Sequence, residues 1–348
     1  MRAQRKTRPS AYARAGVDID TMMQALQRAK TAVRATYTAG VRSEQGSFGG
    51  LFTAPGGRDL LVSSIDGVGT KLKVAHLACR HDTIGRDLVN HCVNDILVQG
   101  ARPLFFMDYL GAGKLDGAVF QAVLKGLSRG CLENGCALLG GETAEMPGLY
   151  PRDEYDLVGC IVGTVPAKRL ITGRRIRPGD ALIGLPSNGL HTNGYSLARK
   201  ILFRQARLNI DSPFPGMRRS VGDVLLKVHR SYLHPIQAVL TGGHALLGMA
   251  HITGGGLTDN MPRILPPDCM AHIRRSAWKR TRLFTALQEL GKVDTEEMYR
   301  VFNMGIGMVL VVRNRHAEAV IEALAEHRQP AWLIGEIARG PRSVCYDE

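Results

Sequence analysis

The chain has 348 residues, 45% of them hydrophobic and 22% charged, which suits a globular fold of about two domains. No stretch approaches the roughly 18 uninterrupted apolar residues that a membrane span needs. Lys and Arg outnumber Asp and Glu by 45 to 31, a net charge of +14. The basic runs are short and scattered: Arg2, Arg5, Lys6 and Arg8; Arg174, Arg175 and Arg177; Arg218 and Arg219; Arg274 and Arg275. Aromatics are only 6% and do not interleave with them. This favours a general attraction for anionic metabolites over a nucleic-acid surface.

Seven cysteines, an odd number with no C-x-x-C pair, read as free core thiols in a reducing compartment. The basic start has no apolar stretch behind it, so it is not a secretory signal. A cytoplasmic protein is expected.

In chain order, residues 1–20 read as a loose arm, and a helix follows over about 21–36. The glycine-rich segment Gln45-Gly-Ser-Phe-Gly-Gly50 leads to a buried strand over 60–65, which ends at Asp66-Gly-Val-Gly-Thr-Lys71. Apolar Ile84, Leu88, Cys92 and Ile96 recur at helical spacing within 81–99. A strand over 103–108, a helix over 116–134 and a strand over 136–139 come next. The segment Gly140-Gly-Glu-Thr143 is expected to be a turn at the end of that last strand. A strand over 155–165 closes the first half. Pro166, Gly173 and Pro178 mark a boundary, dividing the chain into domains at 21–168 and 175–348. The second half restarts with a strand over 181–185. It adds helices near 195–204, 221–241, 257–264, 282–290 and 316–327, and strands near 306–312 and 331–337. Strands and helices mix in both halves, so the fold class is α/β or α+β with two domains.

Several segments carry candidate chemistry. Asp66 stands at a strand end, where a carboxylate can hold Mg²⁺. Gly67 and Gly69 let the backbone approach a phosphate, with Thr70 and Lys71 beside it. No Walker P-loop occurs. Asp87, His91, Asn94 and Asp95 share one helix stripe, which is either an ordinary solvated face or a ligand set for a hard cation. Glu142 could ligate metal, and Thr143 could bond a phosphate or cap a helix. The loop Ser187–Ser196, with His191, Asn193 and Ser196, suits a ribose phosphate, as does Thr253-Gly-Gly-Gly256.

Taken together these segments resemble the aminoimidazole ribonucleotide synthetase (phosphoribosylformylglycinamidine cyclo-ligase) family. The resemblance rests on Ala15–Asp20, Asp66–Lys71, His81–Gly85, Cys92-Val-Asn-Asp95, Pro103–Phe106, Gly113–Asp116, Gly140–Pro147, His191–Leu197, His251–Gly256 and Glu297–Tyr299, in that order. It implies a two-domain α/β homodimer whose N-terminal sheets pair across the dimer. It also implies a ligase of de novo purine biosynthesis that uses ATP and Mg²⁺, with K⁺ left open. ATP would phosphorylate the formyl oxygen of formylglycinamidine ribonucleotide, and the amidine nitrogen would then close the imidazole ring.

By similarity, Asp66, Asp95 and Glu142 would hold Mg²⁺, with Asn94 beside them. Gly46, Phe48, Gly49, Gly50, Gly67, Gly69, Thr70, Lys71, Gly140, Gly141 and Thr143 would surround the nucleotide. His191, Asn193, Ser196, Thr253, Gly254, Gly255 and Gly256 would face the substrate. Lys71, His191 and Asp95 are the expected catalytic groups. The chain departs from the family pattern at a glycine-poorer loop 45–50, at Ser64-Ile65 for Gly-Thr, at Arg102 for an acid, at Val228-His-Arg-Ser-Tyr232 for Pro-Thr-Arg-Ile-Tyr, and at Met304 for Cys. Competing readings are a sibling ATP-dependent enzyme (an amidotransferase subunit, a selenophosphate synthetase or a thiamine-phosphate kinase) and a basic nucleic-acid-binding protein.

Overall fold

The computed structural model describes residues 10–44 and 46–347; the basic cluster at Arg2–Arg8 and Gln45 lie outside the described residues. The first half contains α1 (Ile19–Arg34), β1 (Gly50–Thr53), β2 (Asp59–Gly67), α2 (Leu72–Leu77), α3 (Ile84–Leu97), β3 (Arg102–Ala112), α4 (Gly117–Asn134), β4 (Ala137–Glu145) and β5 (Tyr155–Pro166). Its five strands lie in the order β1-β2-β5-β3-β4. β3 and β4 run parallel, joined through α4, and the other pairs are antiparallel. In β5 buried and half-buried residues alternate along the strand, so one face of the sheet carries the core.

Helices α3 and α4 cover that face. They approach so closely that a Cβ on Gly85 would lie 2.2 Å from the Leu127 nitrogen. Leu88, Cys92 and Ile96 of α3 are fully buried, and each such apolar side chain contributes about 1.5–3 kcal/mol. The opposite face of the sheet stays open, exposing Phe52, Ile65, Leu104, Met107 and Leu139.

The second half contains β6 (Asp180–Pro186), α5 (Tyr195–Arg199), α6 (Val221–Leu225), α7 (Leu233–Thr241), β7 (Gly248–His251), α8 (Gly256–Asn260), β8 (Cys269–Arg274), α9 (Arg282–Gly291), α10 (Thr295–Val301), β9 (Ile306–Arg313), α11 (Ala317–Glu326), β10 (Trp332–Arg339) and β11 (Ser343–Asp347). Its six strands lie in the order β11-β8-β10-β6-β9-β7. β6 and β9 are buried along nearly their whole length, which explains their continuous apolar sequence.

The arm from Ser10 onward is docked rather than loose. The Tyr12 amide donates to Glu297 Oε1 at 3.0 Å, and Lys200 Nζ donates to the Arg14 carbonyl. The expected single helix over 221–241 is two helices, because residues 226–232 cross to the first half. The expected turn at Gly140–Thr143 is instead strand, β4 continuing through it in parallel pairing with β3. Gly141 is required there, since a Cβ would sit 2.4 Å from the Asp108 carbonyl oxygen. All seven cysteines are free thiols. Among the described residues no helix is long and apolar enough to cross a membrane.

Candidate functional site

α3 is buried on all sides: its apolar stripe packs on the sheet, and its polar stripe is also out of water. Asp87, Asn90, His91, Asn94 and Asp95 are each at most 6% exposed. What covers them is the second half of the chain, through loops 187–196 and 226–232 and the end of β7. The solvated-face reading of this stripe is therefore set aside.

At the centre of this junction five side chains form a closed polar ring. Asp95 Oδ1 lies 2.8 Å from His251 Nδ1, and His251 Nε2 lies 3.1 Å from His229 Nε2. His229 Nδ1 is 3.3 Å from Thr192 Oγ1, which also meets His91 Nδ1. His91 Nε2 closes the ring, 3.8 Å from Asp95 Oδ2, and reaches out to Asp66 Oδ2 at 2.7 Å. Ser64 Oγ donates to Asp95 Oδ2. Of the departures noted in the sequence, His229 is a member of this ring and Ser64 bonds it from outside.

The electrostatics select one proton arrangement. Burial alone would depress His91, but the Asp66 charge and hydrogen bond, with Asp95 behind them, raise it to about 9. Burial would raise Asp66, yet the His91 charge brings it below the usual range. His229 is held well below the ordinary histidine range by burial and by the neighbouring His191 and His251. Burial also lowers His251, against the pull of Asp95. With His91 charged and the other two neutral, one set of donors fits. His91 donates to Asp66 and to Thr192, Thr192 to His229, His229 to His251, and His251 to Asp95. Each ring member then has a donor or acceptor partner within the ring, and His91 Nε2 meets Asp66 as an ion pair.

Lys71 was expected to face phosphates. It is instead fully buried, and its three donors are spent on Asp87 Oδ1 at 2.8 Å and on the carbonyls of His191 and Lys227 at 3.2 and 2.9 Å. Burial pulls the ammonium down and pushes the Asp87 carboxyl up, each opposed by the other's charge. An ammonium has only three protons to give, so Lys71 ties the two halves together and has none left for a ligand. Asn94 is likewise a tie and not a metal neighbour: its Nδ2 donates to the Arg230 carbonyl and its Oδ1 accepts from the Tyr232 amide.

The three expected metal ligands do not converge within one chain. Asp66 pairs with Gly159, Gly159 with Asp108, and Asp108 with Gly141. Glu142 is therefore about three strand spacings, roughly 14 Å, from Asp66. Strand alternation also puts it on the open face, beside Tyr109, whereas Asp66 shares the helix side with Leu60 and Val62. Asp95 is buried with both oxygens bonded. Asp66, at 42% side-chain exposure, is the carboxylate with lone pairs left toward solvent and fits a Mg²⁺ ligand. Asp66, Asp95 and Glu142 do not fit one ion together in a single chain.

The proposed substrate loops do meet. His191 has φ +63, stacks on His229 at 4.0 Å, and is held neutral by burial and nearby positive groups. Its Nδ1 and Asn193 Nδ2 are buried without partners. A Cβ on Gly254 would lie 3.2 Å from Asn193 Oδ1. Asn260 Nδ2 gathers the carbonyls of Thr253, Gly254 and Gly256. Gly256 has φ +58 and lies where a Cβ would strike the Tyr299 carbonyl at 2.0 Å, so only glycine fits. Thr70 Oγ1 meets Ser196 Oγ at 3.1 Å.

The glycine-rich loop borders a cleft of about 1070 Å³. Phe48 there lies under the Arg263 guanidinium at 3.6 Å, and Arg263 also donates to the Gly46 carbonyl. Gln99 Nε2 donates to the Gly49 carbonyl, and Gly50 opens β1. Gly67 donates to Asp66 Oδ1. Gly69 and Gly140 have open space where a Cβ would be. Gly140 and Thr143 lie on β4 with Glu142, away from the ring.

The chain matches the family AIR synthase related protein, its N-terminal domain over residues 49–165 and its C-terminal domain over 177–348. It is 51% identical over 333 residues to a phosphoribosylformylglycinamidine cyclo-ligase of Geobacillus kaustophilus (strain HTA426), covering 95% of this chain and 96% of that one. The chain belongs to the phosphoribosylformylglycinamidine cyclo-ligase family. A second cyclo-ligase, from Syntrophotalea carbinolica (strain DSM 2380 / NBRC 103641 / GraBd1), is 50% identical over 331 residues, 94% of each chain. Among solved structures, a thiamine-monophosphate kinase from Stenotrophomonas maltophilia K279a shares the fold at TM-score 0.60 and 18% identity, over 93% of this chain and 96% of that one. A HypE–HypF complex does so at TM-score 0.65 and 17% identity, over 93% and 96%. Those two likenesses show the fold alone.

Of the groups at the junction, sequence reasoning missed the roles of Asp87, Thr192, His229 and His251. Asp87 and His91 were visible on one stripe. His229 was visible as a histidine replacing threonine, but nothing in the sequence says that it meets His251.

Proposed function

We propose that this cyclo-ligase closes the imidazole ring of formylglycinamidine ribonucleotide with ATP, giving aminoimidazole ribonucleotide, ADP and phosphate in purine biosynthesis. The observation that carries this reading is the end-to-end 51% identity to a named cyclo-ligase, across both domains. An amide oxygen is a poor leaving group. Transfer of the γ-phosphoryl group to the formyl oxygen makes it a good one. The amidine nitrogen then attacks the formyl carbon, the C–O bond breaks, phosphate leaves, and the nitrogen sheds a proton. Phosphoryl transfer asks mainly for positioning and charge neutralisation.

ATP is used with Mg²⁺, and Asp66 is the residue of this chain suited to hold that ion. The cleft beside Gly46–Gly50 suits the nucleotide, with Phe48 and Arg263 offering an apolar face and a charge. His191 is neutral and accepts the Asn188 amide at Nε2, so its unpaired Nδ1 carries the proton and can donate to the substrate, while the departing phosphate can take the proton that ring closure releases. Asn193, Ser196 and the Thr253–Gly256 loop would orient the substrate, and Asp95 holds His251 in place. Residues 21–168 form the nucleotide-binding unit in this reading and 175–348 its partner. The exposed apolar face of the first sheet supports a homodimer, since a patch of this kind marks an interface. We place the enzyme in the cytoplasm, where its seven thiols would stay reduced.

The test is to mix the purified chain with ATP, Mg²⁺ and formylglycinamidine ribonucleotide and to follow ADP and aminoimidazole together. Substrate-dependent ADP matched by equal aminoimidazole is expected. ADP without the ring product would point to a kinase-like sibling activity and overturn the assignment.

A further inference from the structure

A second cavity lies apart from the histidine–carboxylate ring, between the docked arm and the segment that follows Ser196. Its volume is about 500 Å³, and Arg14, Arg199, Lys200 and Arg204 line it with no carboxylate among the lining groups. Leu77, Phe203 and Leu208 supply an apolar wall. Cations repel one another, so Arg199, Lys200 and Arg204 around one cavity cost free energy unless an anion joins them.

Three observations show that Arg199 and Lys200 are not spent on carboxylates. Arg199 Nε is buried and has no hydrogen-bond partner. Burial and then the Arg204 charge depress the Arg199 guanidinium, against a weaker pull from Glu154. That carboxylate is already paired with Lys73. Lys200 bonds only a backbone carbonyl, that of Arg14. The backbone that carries them is also unusual. Lys200–Gln205 is a π-helical turn, in which the Ala206 amide reaches the Ile201 carbonyl at 2.8 Å. Single π turns cost stability and cluster at functional sites.

We propose that this pocket is a binding site for a sugar phosphate. The phosphomonoester would be held by Arg199, Lys200 and Arg204, and its sugar would lie against Phe203. A phosphate oxygen suits the guanidinium fork, which bonds two oxygens at once. Ser196 lines the pocket and also meets Thr70, so the pocket adjoins the loop proposed above to hold substrate. The ligand is thus either the phosphate end of the enzyme's own ribonucleotide substrate or a separate ribose phosphate. The choice rests on the cyclo-ligase reading, but the site itself does not.

The test is calorimetric titration of the full-length chain with ribose 5-phosphate and with inorganic phosphate, without turnover. Wild type should bind both, ribose 5-phosphate more tightly, with affinity falling as salt rises. Arg199→Gln and Arg204→Gln should each weaken binding about tenfold, the loss expected for one charge-assisted hydrogen bond. Arg339→Gln, an exposed arginine of β10, serves as the control and should change nothing. Arg204 is exposed, so that variant retains the fold, which circular dichroism checks. Equal affinity in wild type and both pocket variants, or an equal loss in Arg339→Gln, overturns the proposal. Steady-state assays then separate the sources. A raised KM with kcat kept in Arg204→Gln identifies the substrate's own phosphate. An unchanged KM together with lost ribose 5-phosphate binding identifies a separate ligand.

Discussion

His91 shows how one residue converts a sequence pattern into a charge at a fixed place. Its neighbours on α3 are apolar toward the sheet, and burial by itself would keep it neutral. Asp66 at 2.7 Å reverses that and raises it to about 9. The folded value lies above the unfolded one, near 6.5. Its contribution to stability is therefore complete below about pH 6.5 and is lost as pH rises through about 9. Thermal midpoints of wild type measured from pH 6 to 10 should fall across that window. In His91→Gln the fall should be shallower, because the titrating group is gone and Asp66 loses its charged partner. Parallel slopes in the two proteins would show that His91 is not the cation of this ring.

At the scale of elements, α3 is the helix against which both halves pack, and Lys71–Asp87 is its main fastening. Both side chains are fully buried, and the pair also holds the His191 and Lys227 carbonyls and the His229 amide. Removing one charge leaves the other buried and uncompensated, which costs about 3–5 kcal/mol. Lys71→Met should lower urea-unfolding stability by that much, and adding Asp87→Asn should recover part of it. A loss below about 1 kcal/mol, or strict additivity of the two changes, would mean the pair does not clamp the halves.

The helical period of α3 and of α4, and the apolar runs of β2, β5, β6 and β9, were legible because each packs one regular stripe or a continuous face into a core. Short elements such as β7, β11 and α10 were not, since their positions depend on partners distant in sequence. The same limit governs the site. Asp66 and the loops after Ser187 and Thr253 announce themselves by glycine and polar density. That Lys71 faces Asp87 and not a phosphate is set by a partner 16 residues away and by carbonyls from the second half. That Gly140–Thr143 continues a strand is set by β3 alongside it, because glycines that read as a turn are here demanded by a close strand neighbour.

At the scale of the whole molecule, the open sheet face and the position of Glu142 belong to one question. Ile65 of β2 is 69% exposed and Leu139 of β4 is 63% exposed, so the face that carries Glu142 is apolar and uncovered. Within one chain Glu142 and Asp66 lie on opposite sides of the sheet, about three strands apart. If both serve the same nucleotide, one chain cannot supply the pair, and the second carboxylate comes from another copy. Two inactive chains should then complement each other. Asp66→Asn and Glu142→Gln are purified separately, mixed in equal amounts and allowed to exchange subunits. Half of the dimers become mixed, and each mixed dimer holds one intact site, so activity should return to about a quarter of wild type. Chains that also carry Ile65→Lys, which puts a charge into the buried face, should sediment as monomers and lose the recovery. Activity that stays at the sum of the two parents would confine each site to one chain, and an active Glu142→Gln parent would remove Glu142 from the reaction.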